Sequence, residues 1–178
     1  TGPGPGGSQL VRRWLLAWLL SSAAWAAPIH EAATRGDADG LRQAGASQLN
    51  LPDSKGLTPL VLVIQNRHPE CVEVLLQLGA SPNLGNWSPL HEAALMGDAA
   101  SVRILLQAKA DPNRRENANG GTPLHVACFQ GQTEIAKMLI KAGAKLNLRD
   151  KEGFTPLFQA KDQGHFELMK YLKSIGAR

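Results

Sequence analysis

The chain has 178 residues, 43% of them hydrophobic, and a formal charge of +4. That length supports one domain with a substantial core, and a single Tyr with four Phe suits aliphatic helix-on-helix packing. The positive surplus is too weak, and too lacking in aromatic or motif context, to support nucleic-acid binding.

The first stretch, TGPGPGGSQ, is Gly/Pro-rich without helical periodicity and reads as disordered. Arg12 and Arg13 follow, then an apolar run from Trp14 to Leu20, then small residues from Ser21 to Ala27. A basic start, a short apolar stretch and an Ala-x-Ala site at Ala24-Trp25-Ala26 are the three parts of a secretory signal peptide, cleaved after Ala26. The run is too short for a bilayer, which needs ~20 residues, so no stable membrane span is expected after cleavage. A second reading makes Trp14 to Trp25 a capping helix on the domain that follows. Against it, Trp14, Trp18 and Trp25 would give an apolar outer side where a terminal unit needs a polar one. Signal peptides start near Met, whereas this sequence starts Thr-Gly; translation from Val11, read from a non-AUG codon, would account for the tail.

From Ala27 the chain repeats one helix-turn-helix pattern. Repeat 1 (about 27–52) carries Pro28, His30, Ala32, Ala33 and Gly36-Asp37, but Gly36 to Gly45 is 9 residues where Gly131 to Gly143 is 12. One turn is missing from its second helix, so this unit should fray first. Repeat 2 (53–84) opens Thr58-Pro59-Leu60, and Arg67 stands where other units have Gly. A left-handed Arg67 costs about 1 kcal/mol unless Asn66 takes the turn. Its second helix keeps Cys71, Val72, Val74, Leu75 and Leu76 in helical register and ends at Gly79-Ala80. Repeat 3 (85–115) reads Trp87-Ser88-Pro89-Leu90-His91-Glu92-Ala93-Ala94, after a link three residues short that predicts a stunted hairpin finger. The link into repeat 4 is one residue long, so that finger projects further.

Repeat 4 (116–149) is the cleanest copy, with Thr122-Pro123-Leu124-His125, Gly131, an apolar second helix through Ile135 to Ile140, Gly143-Ala144 and Asn147. Repeat 5 (150–178) keeps Thr155-Pro156-Leu157, but Phe158 replaces the His and Lys161 an inner Ala. Lys170, Lys173 and Arg178 make its last helix polar, as a closing cap requires.

Pro28, Pro59, Pro89, Pro123 and Pro156 share one slot at spacings of 31, 30, 34 and 33 residues. In residue types, order and period the chain resembles the ankyrin-repeat family from about Ala27 to Arg178. The resemblance implies an all-α ankyrin solenoid of five repeats in which each unit buries its apolar face only against its neighbours. With packed helices ~8–10 Å apart, Cys71 and Cys128, separated by a whole repeat, lie beyond the ~7 Å reach of a disulfide. They are expected as unpaired buried thiols. His30, His91 and His125 recur at one structural position and read as scaffold. No pair of His has i, i+4 metal spacing, and there is no nucleophile triad, phosphate-binding glycine loop or carboxylate pair. Neither metal nor cofactor is expected, nor an enzyme.

What the resemblance implies instead is a non-enzymatic module that binds a partner protein on its concave face, through finger tips and the exposed ends of the first helices. Those slots hold Leu57, Trp87, Gly121 and Phe154 before the Thr/Ser-Pro, and Gln65-Asn66, Leu95-Met96, Phe129-Gln130 and Asp162-Gln163 before the turn. Trp87, Leu95, Met96, Phe129 and Phe154 are large apolar residues expected to face solvent, as binding anchors do; Trp87 could instead fill the space left by the short loop. Lys55, Arg114, Arg115, Lys151 and Glu152 would form a charged rim. Residues 27–117 hold 8 basic and 10 acidic residues and 118–178 hold 9 and 5, a dipole suited to an acidic partner. Asn83, Asn113 and Asn147 occupy a finger position that is hydroxylated in intracellular members of the family. Export signal and compact stack together resemble small exported bacterial ankyrin proteins, predicting a periplasmic or secreted location. The alternatives are an intracellular adaptor whose Trp14 to Trp25 caps the stack, and an accessory subunit that stabilises an enzyme encoded nearby.

Overall fold

The computed structural model describes residues 27–178; the expected cleavage site at Ala24 and Ala26, like the alternative capping helix, lies outside the described residues. These form ten α-helices and no strand. They are α1 (Ala27–Arg35), α2 (Ala38–Gln43), α3 (Pro59–Gln65), α4 (Pro69–Gln77), α5 (Pro89–Met96), α6 (Ala99–Gln107), α7 (Pro123–Phe129), α8 (Thr133–Lys141), α9 (Pro156–Asp162) and α10 (Phe166–Ser174). The odd-numbered helices stack in sequence as an inner layer, while α2, α4, α6 and α8 stack behind them. This is the five-unit all-α solenoid expected from the repeat.

Each inner helix begins where local chemistry requires. Pro supplies the first-turn residue whose missing N–H costs nothing, and Thr58 and Thr155 accept hydrogen bonds from the N–H of Val61 and Phe158. Leu60, Leu90 and Leu124 then enter the core with Ala93, Ala94, Ala127 and Ala160, all at most 1% exposed. The alanines let neighbouring helices approach closely, and each buried Leu contributes roughly 2 kcal/mol. Cys71 and Cys128 are free, buried thiols within this core, as expected.

The turn between paired helices needs a left-handed residue. Gly36, Gly97, Gly131 and Gly164 supply it with φ of +67 to +76°, and Arg67 does so in repeat 2 at φ 58°. Asn66, the C-cap, keeps a negative φ of −91°, so the strain falls on Arg67, whose guanidinium donates to the Met96 carbonyl at 3.2 Å. Lys109 is a second non-glycine in this region, φ 64°, in the slot that Gly79 and Gly143 fill elsewhere.

Repeats are stitched along the finger side by asparagines. Asn50, Asn83, Asn113 and Asn147 each accept from a backbone N–H of the following unit, at Ser81, Asp111, Lys145 and Arg178, with distances of 2.7–2.8 Å. Repeat 1 lacks a turn of its outer helix, as expected: α2 has 6 residues where α4, α6, α8 and α10 have 9.

Candidate functional site

The inner ends of α5, α7 and α9 and the fingers that precede them line a groove of about 460 Å³. Its apolar surface comes from Trp87, Leu95, Val126, Phe129, Phe154 and Phe158. Phe129 is 46% exposed, Phe158 40% and Leu95 39%. Such exposure of large apolar groups in one concavity is uncommon on a surface with no ligand to cover it.

Four of these residues were expected at a binding surface, and local structure explains their direction. Leu95 and Phe129 occupy the last turn of α5 and α7, where the helix emerges from the core just before the glycine turn. Trp87 and Phe154 precede the N-caps Ser88 and Thr155, so they belong to the fingers. Both are half-buried rather than exposed. The Trp87 indole N–H donates to the buried Glu92 carboxylate at 2.6 Å, and its ring lies 5.1 Å from that of His91. Phe154 stacks on Phe158, centroids 4.3 Å apart and planes within 6°. Trp87 therefore fills space behind the short finger and lines the groove as well.

Buried histidines hold this arrangement in place. The backbone N–H of Thr122 donates to His125 Nδ1 at 3.1 Å, which requires that nitrogen to be unprotonated, so the ring carries its proton on Nε2 and donates to the Phe154 carbonyl at 3.2 Å. His91 repeats the pattern one unit earlier: Nε2 donates to the Gly121 carbonyl at 3.2 Å, and Nδ1 accepts from the Ser88 hydroxyl at 2.7 Å. Burial pushes the proton affinity of His91 down to about 4 and lowers that of His125. Both are neutral scaffold groups. In repeat 5 the slot holds Phe158, which has no N–H to donate and turns its ring to the groove.

The remaining expected contact residues lie elsewhere or have other partners. Leu57 does not line the groove; it is half-buried against the core of repeat 2. Met96, also half-buried, is outside the lining, and its carbonyl is taken by Arg67. Gln130 is exposed beside the groove as the C-cap of α7. The expected basic rim is used for scaffolding. Arg114 is half-buried and donates to the Gly85 carbonyl at 2.9 Å, Arg115 to the carbonyl of Arg149, and Lys151 to those of Asn117 and Ala118. The long finger before α7 is thus tied to the next one, and the short one before α5 is braced by Arg114 and by Asn117, which donates to Asn86 at 2.7 Å.

Sequence reasoning missed Phe158 because it stands in a scaffold slot, although an aromatic replacing His four residues after Phe154 was the available signal. Glu116 and Asp150 were also missed as groove residues. Among the described residues no three His, Cys, Asp or Glu side chains gather as a metal site would require, and no helix is long and apolar enough to cross a membrane.

Known proteins share the repeat. The family model described as Ankyrin repeats (3 copies) matches residues 29–116 and 113–178. Protein PhlB of Serratia liquefaciens is 37% identical over 134 residues, covering 73% of this chain and 59% of its own length. Human ankyrin repeat and SOCS box protein 11 is 35% identical over 99 residues, 53% of this chain and 30% of that protein. Human transient receptor potential cation channel subfamily A member 1 is 31% identical over 155 residues, 83% of this chain but 14% of the channel. The chain thus spans less than two thirds of the length of each of these relatives.

Proposed function

This chain belongs to the ankyrin-repeat family, whose repeats are protein-interaction modules, and from that premise we propose that it captures a partner protein in the groove of repeats 3–5, without catalysis of its own. The observation that carries the reading is the convergence of Trp87, Leu95, Phe129, Phe154 and Phe158 on one concave surface. Leu95, Phe129 and Phe158 stand exposed there rather than in the core. Aromatic anchors of this kind dominate interface energies, and the histidine-braced fingers preorganise them, which lowers the cost of binding.

A photo-crosslinking residue introduced at Phe129 in the native host tests this. A discrete adduct from position 129, absent when the crosslinker replaces the outward-facing Glu73 on α4, is the expected result. Equal labelling from both positions would remove the groove from consideration.

The same proposal includes export. Its support is the basic, apolar and Ala-x-Ala order of Arg12 to Ala26, and the site of action would be the periplasm or the exterior. N-terminal sequencing of the mature protein is expected to begin at Ala27. A mature terminus upstream of Ala24 would instead favour an intracellular adaptor.

A further inference from the structure

The groove has a charge opposite to that of the chain. Glu116, Asp150, Glu152 and Asp162 line it, and no Lys or Arg does, although the chain as a whole is +4. Asp150 is buried, and its carboxylate accepts from the N–H groups of Glu152 and Phe154 and from Gln159. The other three differ. Glu116, Glu152 and Asp162 form no ion pair among the described residues; Asp162 accepts from the Gln163 side-chain amide at 2.9 Å, and Arg115 and Lys151, the cations beside Glu116 and Glu152 in sequence, donate to finger carbonyls. Lysines and arginines instead line other recesses: Arg103 and Lys141 one between α6 and α8, and Arg149, Lys161, Lys173 and Arg178 one that shares Glu152, Phe154 and Phe158 with the groove.

From this charge complementarity we infer that the groove's occupant is a basic segment of the partner, an apolar side chain seated among Leu95, Phe129 and Phe154 and flanked by Lys or Arg that meet Glu116, Glu152 and Asp162. The inference rests on the groove reading and adds the sign of the partner. Cations gain twice in such a site, from carboxylates without an ion-pair partner and from exposed aromatic faces. An acidic segment would meet three like charges there. The half-chain charge count, which suited an acidic partner, does not describe the lining of this groove.

Two matched fluorescent peptides test it with the full chain: one alternating Lys and Leu around a central Phe, the other identical with Glu for each Lys. Fluorescence anisotropy should show the Lys peptide bound and the Glu peptide not, even though the chain's own net charge favours the latter. Combining Glu116→Gln, Glu152→Gln and Asp162→Asn should weaken the Lys peptide about tenfold. The single Glu152→Lys at an exposed position gives a second reading that does not depend on the triple variant folding. Preferential binding of the Glu peptide, or indifference to both charge variants, overturns the inference. If binding is lost on Phe129→Ala yet ignores charge, the inference fails and the groove reading stands. If binding depends on charge but ignores both Phe129→Ala and Leu95→Ala, the groove reading fails as well. Failure of the Lys peptide to bind, with a concentration-dependent dimer in sedimentation, would make a second copy the occupant.

Discussion

His91 shows how one residue serves packing and geometry together. It is fully buried, and the unprotonated form satisfies both ring nitrogens, between Ser88 and the Gly121 carbonyl. Its proton affinity in the fold is about 4, against 6.5 for a free side chain. Between those values the unfolded chain binds the extra proton, so stability is whole above pH 6.5 and declines as pH falls toward 4, by about 3 kcal/mol for this group. His125 acts in the same direction. Thermal melts across that range should therefore show a falling midpoint on acidification. In His91→Gln the midpoint should be lower at neutral pH but less dependent on acid; an unchanged slope would show that the ring does not control it. At this scale the sequence was legible where a residue answers a local backbone need, such as the strained Arg67. It was not legible for Arg114, Arg115 and Lys151, whose long stems choose carbonyls in another repeat.

At the scale of the element, the tight turn links the inner helix, the outer helix and the next unit. Gly131 has φ 69°, and a Cβ there would meet the His165 ring at 2.5 Å. His165 is itself held by donation from Nε2 to the Phe129 carbonyl at 2.9 Å. Gly131→Ala is thus expected to cost 2 kcal/mol or more, roughly, from backbone strain plus displacement of that ring. A denaturant titration would measure it; a loss below roughly 0.5 kcal/mol would mean the turn relaxes freely. Helix existence was legible because Thr-Pro starts and Gly stops are local signals. Phe158 was not, because its slot belongs to a scaffold His in repeats 3 and 4 and only the loss of that donor frees a ring for the groove. The asparagine stitches were half legible: Asn83, Asn113 and Asn147 stood out by spacing, but their partners lie about one full repeat ahead, and Asn50 belongs to a unit too irregular to reveal it.

For the whole molecule, stability should be graded along the stack, since each repeat meets only its neighbours. Repeat 1 offers a six-residue α2 where the other units have nine-residue outer helices. Native-state hydrogen exchange should find amides of 38–50 opening first and those of α5 and α7 last. Uniform protection from α1 to α9 would contradict a graded stack. The overall architecture was fully legible, because a period of about 33 residues admits few alternatives. The polarity of the groove was not, since summing charges by sequence half ignores which face each side chain occupies.

The short α2 belongs to the first unit of the solenoid, whereas Trp87, Phe129 and Phe154 belong to the third, fourth and fifth. Local opening is therefore expected to begin away from the groove. A protease acting on the first unit to open would cut there while repeats 3–5 stayed folded, so the proposed binding groove should outlast the loss of repeat 1.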